Sequence, residues 1–414
     1  MARKKRRKRK ANKKTLLVTA DIGKKSHHIF FTTPDGEEVK PFPVPNSREG
    51  FEKLWEKILN FRDRNGLESV LFGFESSGPY AEPLTHFMDA RGAKLTQVNP
   101  KHTKKYKEVL DNSPEKSDWK DPRVIADIIK MGRGLSVIIP RGHAADLRRL
   151  VHCREHLMKH RTMLYNRIHG CLSIVFPEYN KFLDITTKSA TWLFREHGTP
   201  KKILALGEEE LRKKLKEKSR GKLSSAKIEG LFQAAMESIG IQEGHVGSEI
   251  EIKHLYKQVE STDGSIKEIE GKMAEILEQI PASRHLLSIP GVGKNTAATL
   301  IGEIGDFRNF RSAREVIKLA GLNLYTVSSG KHIGKIRITK RGRGLLRKAL
   351  YFAVLGMIRR NGYFGKLYKN YIKEGKKPKV AMIILARKLL VIAFALIRDE
   401  KDFDSSLNHD EKAA

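Results

Sequence analysis

Four carboxylates stand out by where they fall. Asp21 closes the apolar run LLVTAD, Glu75 closes SVLFGFE, and Asp118 and Asp121 lie three apart in KSDWKD. The ends of parallel strands are where open α/β sheets bind ligands, and residues three apart share one face at the start of a helix. Carboxylates gathered on one spot repel and raise each other's pKa unless a cation neutralises them. Their hard oxygens select Mg²⁺, with Mn²⁺ as the alternative. Two such ions would clamp a phosphodiester and offset charge on its attacking and leaving oxygens. Taken singly, Asp118 or Asp121 reads equally as a helix cap ahead of Pro122, and Glu75 as an ordinary strand end. The convergence of three segments is what favours a metal site.

A second locus is VSSG at 327–330. Ser329 is followed by Lys331, His332, Lys335 and Arg337. A serine hydroxyl among cations is placed to attack a phosphodiester, although Ser-Gly is also a common turn. GVGKNT lacks the spacing and the preceding strand of a phosphate-binding P-loop. It fits a helix-hairpin-helix, with Gly291 and Gly293 admitting a phosphate to backbone N–H groups beside Lys294, or else a plain helical turn. His152, His156 and His160 recur every four residues with no completing ligand, and read as a polar helix flank rather than a zinc site.

The elements that must position these residues change character along the chain. Residues 15–140 alternate apolar strands with helices. This predicts an α/β domain with a mixed sheet of the ribonuclease H type: a largely parallel sheet covered on both faces, with an early antiparallel hairpin at its edge. From 141 to 280 the pattern is helical. Leu147, Leu150, Leu157, Leu164, Ile168, Cys171 and Val175 form one apolar seam, and Ile252, Leu255, Val259, Thr262, Ile266, Ile269, Met273, Ile276 and Ile280 form another. Seams of that length predict two long helices in a coiled coil, within one chain or across a dimer. Several short helices fill 181–248. A mostly helical domain spans 281–399, including a capping box at SARE (312–315) and a basic, Gly- and Ser-containing stretch around Ser329. Residues 1–14 read as a disordered basic arm and 400–414 as a polar tail.

The charge is lopsided. The chain has 414 residues, with 80 Lys and Arg against 48 Asp and Glu, for a net +32. Its first 14 residues carry ten basic side chains and no acid, and the remainder is strongly basic as well. Such a surface favours polyanions by counterion release, which points to nucleic acid before a membrane surface. The apolar run VAMIILARKLLVIAFALI has Arg387 and Lys388 at its centre, which predicts a buried helix instead of a membrane span. Cys153 and Cys171 suggest no disulfide framework, so a reducing cytoplasm is the expected location.

Together these motifs resemble the transposases of insertion-sequence family one-hundred-and-ten. ADIG resembles the first-strand Asp motif, and FESSGPY the family's E-x-[ST]-G-x-Y. VNPKHTKKY and KSDWKD are similar to its NP and K-[ST]-D-x-x-D elements. IPGVGKNTAATLIGEIGDFRNF, AGL, SSG and ITKRGRGLLRKALY are similar to its C-terminal signature. The resemblance implies a DEDD, RuvC-like domain, a coiled coil and a serine-bearing transposase domain. It implies Asp21, Glu75, Asp118 and Asp121 as Mg²⁺ ligands and Ser329 as nucleophile, with Ser328 the alternative. Lys331, Lys335, Arg337, Lys340 and Arg341 become nucleic-acid contacts. The implied activity is RNA-guided recombination. A structured non-coding bridge RNA pairs with donor and target DNA in the nucleoid-associated cytoplasm, and dimers pair into tetramers so that one subunit's serine completes another's acidic site. A basic chain that leaves sequence reading to base pairing suits that role. The competing readings are a RuvC-like, Mg²⁺-dependent junction endonuclease that uses water, and a nucleic-acid packaging protein.

Overall fold

The computed structural model describes residues 14–75, 78–111, 120–326, 328–329, 332–333, 336–360 and 362–404. They form two compact units that divide between Ile139 and Pro140.

In the first unit the chain runs β1 (Thr15–Asp21), β2 (Ser26–Thr32), β3 (Glu38–Pro45), α1 (Arg48–Arg64), β4 (Ser69–Glu75), α2 (Ala81–Ala90), β5 (Lys94–Val98), α3 (Pro100–Asp111), α4 (Asp121–Lys130) and β6 (Leu135–Ser136). The strands form one sheet in the order β3-β2-β1-β4-β5-β6. β1, β2 and β3 are an antiparallel meander, β1, β4 and β5 are parallel, and β6 returns antiparallel. The sheet is mixed, as the alternation predicts, but it is not largely parallel: only β1–β4 and β4–β5, which are joined through helices, pair in parallel, while the directly connected β1, β2 and β3 and the returning β6 pair antiparallel. β3 lies at the edge, where Pro41, Pro43 and Pro45 cost no inner ladder bonds.

Strand alternation sorts β1 onto two covered faces. Leu16, Val18 and Ala20 join Phe51 and Leu54 of α1 and Leu84 and Met88 of α2 in one core. Leu17 joins Val98 and the Val124, Ile125, Ile128 and Ile129 side chains of α4 in the other. The bare Cα of Gly73 lets α4 lie close on this second face, since a Cβ there would fall 2.2 Å from Ile129 Cδ1.

The second unit begins with α5 (His143–Val175), continues through α6 (Lys188–Glu196), α7 (Pro200–Leu206), α8 (Glu208–Ser219) and α9 (Ser225–Met236), and reaches α10 (His245–Glu278). There follow α11 (Ser283–Leu287), α12 (Lys294–Ile304), α13 (Ala313–Leu319), the two-residue strands β7 (Leu324–Tyr325), β8 (Ser328–Ser329), β9 (His332–Ile333) and β10 (Arg337–Ile338), then α14 (Gly344–Met357), α15 (Tyr363–Lys373) and α16 (Pro378–Asp399). α5 and α10, of 33 and 34 residues, pair with each other inside the chain. The ion pairs Arg154–Glu270, Arg161–Asp263 and Arg167–Glu251 descend along α10 as they ascend along α5, so the pair is antiparallel.

Two cores share these long helices. Leu164, Ile168 and Leu172 of α5 and Ile252, Leu255 and Tyr256 of α10 pack with α6 to α9. Leu147 and Val151, with Met273 and Leu277, pack instead with α12, α14 and α16. The apolar α16 belongs to that second core: 61% of its most apolar 18-residue window is buried. Its Lys388 is itself buried, with the ammonium 5.4 Å from the Tyr363 ring centroid.

The basic stretch folds as two small ribbons, β7 with β10 and β8 with β9. The capping box expected at 312–315 is not closed, because Glu315 reaches past the cap residue to the N–H before it. Ser312 caps α13 without a side-chain bond, while Glu315 Oε2 accepts the Arg311 N–H at 3.0 Å.

Candidate functional site

The parallel pairing of β1 with β4 places two of the predicted carboxylates side by side. Ala20 and Phe74 are partners in the ladder, and Asp21 and Glu75 are the next residue of each strand. By alternation both lie on the α4 face, as Thr19 and Gly73 do two residues earlier. Asp21 also pairs with His28 of β2, and Glu75 with Val98 of β5.

The N-terminus of α4 is pinned to that same face. Thr19 Oγ1 donates to the Pro122 carbonyl oxygen at 2.6 Å. This brings Asp121, the first residue of α4, to the part of β1 that ends at Asp21. The cap position is Lys120, with no capping bond from its side chain. Asp121 therefore stands within the first helical turn, where the helix dipole favours a negative charge.

α3 completes the site. Thr103 and Lys107 are one turn apart on one face of it. Thr103 Oγ1 donates to Glu75 Oε2 at 2.6 Å, and the Lys107 ammonium forms an ion pair with Asp121 Oδ1. That oxygen is sealed from solvent. The sequence motifs did not single out Thr103 or Lys107, although Asn99-Pro100 signals the helix that carries them. Pro occupies the first turn, and Asn99 Oδ1 accepts the Lys101 N–H at 2.9 Å.

Asp21, Glu75 and Asp121 supply the hard oxygen donors that Mg²⁺ or Mn²⁺ prefers, on one face of one sheet. Among the described residues, no three His, Cys, Asp or Glu side chains lie close enough together to hold a metal ion, so Asp21, Glu75 and Asp121 share a face without forming a ligand cluster. Asp118, the fourth predicted ligand, lies outside the described residues, as do Lys331 and Lys335.

In the second unit, Ser328 and Ser329 form β8, and Ser329 is the ladder partner of His332. Arg337 is exposed on β10, and Lys340 and Arg341 are exposed just beyond it. Lys340 takes the left-handed conformation, at φ 52°. The ends of the basic stretch are tethered beneath it: Thr339 N–H bonds to the Asn323 carbonyl at 2.8 Å, and Lys340 N–H to the Gly321 carbonyl at 2.9 Å.

The same unit holds a buried charge network. Glu303 of α12 is 2% exposed and accepts from His152 Nε2 at 2.7 Å. Arg343 donates to the Glu303 backbone carbonyl, and its Nε stands 4.0 Å from the Glu303 carboxylate. Burial pushes the Arg343 guanidinium down to about 10, Arg148 nearby adds to the shift, and Glu303 opposes it. His152 is thus committed to a carboxylate, in keeping with a polar flank.

The expected hairpin around Gly291 is shorter than two full helices, because α11 has only five residues. Gly291, at φ +98°, is packed against Met357, where a Cβ would come within 2.6 Å of Cγ. The positive φ and the close approach of Met357 both favour glycine at this position. Gly293 is the cap of α12, and Lys294 pairs with Glu278 at 3.0 Å.

Comparison with known proteins matches both halves. Residues 18–177 fit a transposase domain of the DEDD type from the IS110 family, and residues 283–369 fit the Transposase IS116/IS110/IS902 family. A 43.6 kDa protein of insertion element IS110 from Streptomyces coelicolor is 27% identical over 396 residues, covering 95% of this chain and 96% of its own. The pilin gene-inverting protein of Moraxella bovis is 34% identical over 150 residues, covering 35% of this chain and 47% of its own. T. thermophilus RuvC in complex with a Holliday junction substrate is similar over 30% of this chain and 99% of its own. That likeness, at 15% identity and a TM-score of 0.22, is too loose to carry an argument. The strand-end carboxylates Asp21, Glu75 and Asp121 lie inside the first matched segment and the basic ribbons inside the second, so the chain is similar, in order, to two transposase domains described for the IS110 type.

Proposed function

We propose that this protein is a DNA transposase that cuts and rejoins strands through a covalent serine intermediate, using the carboxylates at the ends of the central strands and Ser329. The observation that carries this reading is the meeting of Asp21 and Glu75 at adjacent strand ends, with Asp121 brought to the same face by the Thr19–Pro122 bond. Asp21, Glu75, Asp121 and Asp118 would hold Mg²⁺. When bound, the ion supplies positive charge for a scissile phosphate and for the oxygens that attack and leave it.

The chain's own residues do the rest. The Ser329 hydroxyl gives up its proton and its oxygen bonds to phosphorus. The bond from phosphorus to one sugar oxygen breaks, and that oxygen leaves as a hydroxyl after taking a proton. A hydroxyl of another strand then attacks the same phosphorus, and the serine leaves with a proton restored. The phosphodiester is conserved, so rejoining needs no nucleotide hydrolysis. Arg337, Lys340 and Arg341, exposed beside the serine ribbon, bind backbone phosphates and offset the developing charge. The net charge of +32 supports a large nucleic-acid footprint. It accommodates a structured bridge RNA together with donor and target DNA, held by a dimer that pairs into a tetramer.

Replacing Ser329 with Ala tests the serine. The full chain, incubated with Mg²⁺, guide RNA and element-end DNA, is expected to yield a protein–DNA adduct that survives denaturation, and the variant none. A variant that still cuts, with no adduct from either protein, would establish a water-using junction nuclease in its place. Asp21→Asn is expected to abolish cleavage while DNA binding persists; unchanged metal-dependent cleavage would refute the acidic site.

A further inference from the structure

The ion pair between Lys107 and Asp121 assigns this lysine a part in metal binding. Thr103 and Lys107 occupy one face of α3, and each takes up one carboxylate of the site: Thr103 holds Glu75 by a neutral hydroxyl, and Lys107 meets Asp121 with a full positive charge. Asp121 Oδ1 is sealed from solvent, so in the absence of a metal the ammonium is its counter-charge. Clustered carboxylates without such a charge repel or take up protons.

We propose that Lys107 is a built-in stand-in for the divalent ion: it neutralises Asp121 while the site is empty of metal and withdraws when the ion binds. This rests on the metal-site reading above. Three features suit the exchange. An ammonium is a compact, strongly hydrated point charge on a flexible four-carbon stem. The Lys107 side chain is 26% exposed, so its stem has a path into solvent. The Thr103–Glu75 bond does not depend on Lys107, so α3 keeps its place on the site after the lysine departs. The exchange breaks one Lys–Asp contact for each ion bound, so Lys107 weakens the metal affinity by the factor with which it occupies Asp121. An arginine would grip the same carboxylate through two parallel bonds and yield less readily. Lysine therefore lets the unloaded enzyme stay folded with its acids in place, and sets the free-ion concentration at which the site fills.

The test is Mn²⁺ binding to the full-length protein, followed by electron paramagnetic resonance and calorimetry, for wild type, Lys107→Met, Lys107→Arg and Asp121→Asn. Lys107→Met is expected to bind Mn²⁺ roughly five- to tenfold more tightly, as removal of a competing state requires, and Lys107→Arg more weakly than wild type. Metal-free Lys107→Met should melt below wild type, and saturating Mn²⁺ should close that gap. If Asp121→Asn loses Mn²⁺ but Lys107→Met binds as wild type or more weakly, the stand-in role is wrong and the metal site survives. If Asp121→Asn binds as wild type, the metal site is wrong and this inference falls with it. Should Lys107→Met fail to fold, Lys107→Gln, which keeps a polar stem, carries the same comparison.

Discussion

Thr19 of β1 and Pro122 of α4, 103 residues apart in sequence, are joined by a 2.6 Å bond from the threonine hydroxyl to the proline carbonyl oxygen. Thr19 is fully buried, so the bond forms out of water's reach. Thr19→Val keeps the shape and removes the donor, while the Pro122 carbonyl keeps its place in the first turn of α4. A loss of about 1–2 kcal/mol is expected in urea unfolding. Because the bond fixes where Asp121 lies, Mn²⁺ affinity should fall as well. Unchanged affinity alongside lowered stability would show that Asp121 does not depend on this tether.

Gly73 governs how closely α4 approaches the sheet. A Cβ there would meet Ile129 Cδ1 at 2.2 Å and Thr19 Cγ2 at 3.3 Å. Ile129 can yield at its flexible end to a single methyl, so Gly73→Ala should be mild. Gly73→Val must lift the helix, at an expected cost of about 1–3 kcal/mol. Chemical denaturation of the two variants checks the order, and equal effects would contradict the close packing.

Glu303 of α12 is buried in the helical unit, bonded to His152 and facing Arg343. Burial works to raise its pKa, but the hydrogen bond from His152 and the charges of Arg148 and Arg343 outweigh that and hold it below the usual 4.5. Its unfolded form binds protons first as the pH falls, so its stabilisation is present above pH 4.5 and drains away below it. Glu303→Gln removes the buried negative charge that faces His152, Arg148 and Arg343, at an expected cost of about 1–3 kcal/mol at neutral pH, and should flatten the acid limb. Calorimetry across pH 3–7 compares the two.

His27 sets a different acid limit in the first unit. It is fully buried beside Phe51, its ring centroid 5.8 Å from the phenyl centroid. Burial lowers its pKa from 6.5, against a weaker opposing pull from Asn46. A depressed histidine takes up its proton more readily unfolded, so stability must decline as the pH drops below 6.5. Amide exchange in residues 15–136 is expected to quicken between pH 7 and 5.5 in the wild type and to change less in His27→Phe. Equal slopes would exonerate His27.

The sequence by itself determined the local elements and their chemistry. Alternation marks β1 and β4, the apolar seams mark α5 and α10, and strand-end position marks Asp21 and Glu75, because side-chain direction follows from a period of two or 3.6 residues. The charge balance, too, is a property of composition alone. Only the tertiary structure decided which residues meet. Parallel register sets Asp21 beside Glu75, and the Thr19 hydroxyl brings in Asp121. α3 delivers Thr103 to Glu75 across 28 residues and Lys107 to Asp121. The same holds for the pairing of α5 with α10 inside one chain, and for Glu303 beneath Arg343, 40 residues away. These contacts depend on the crossing of distant segments, which no local period encodes: the packing of whole faces selects one arrangement among the many that the same periodicities permit.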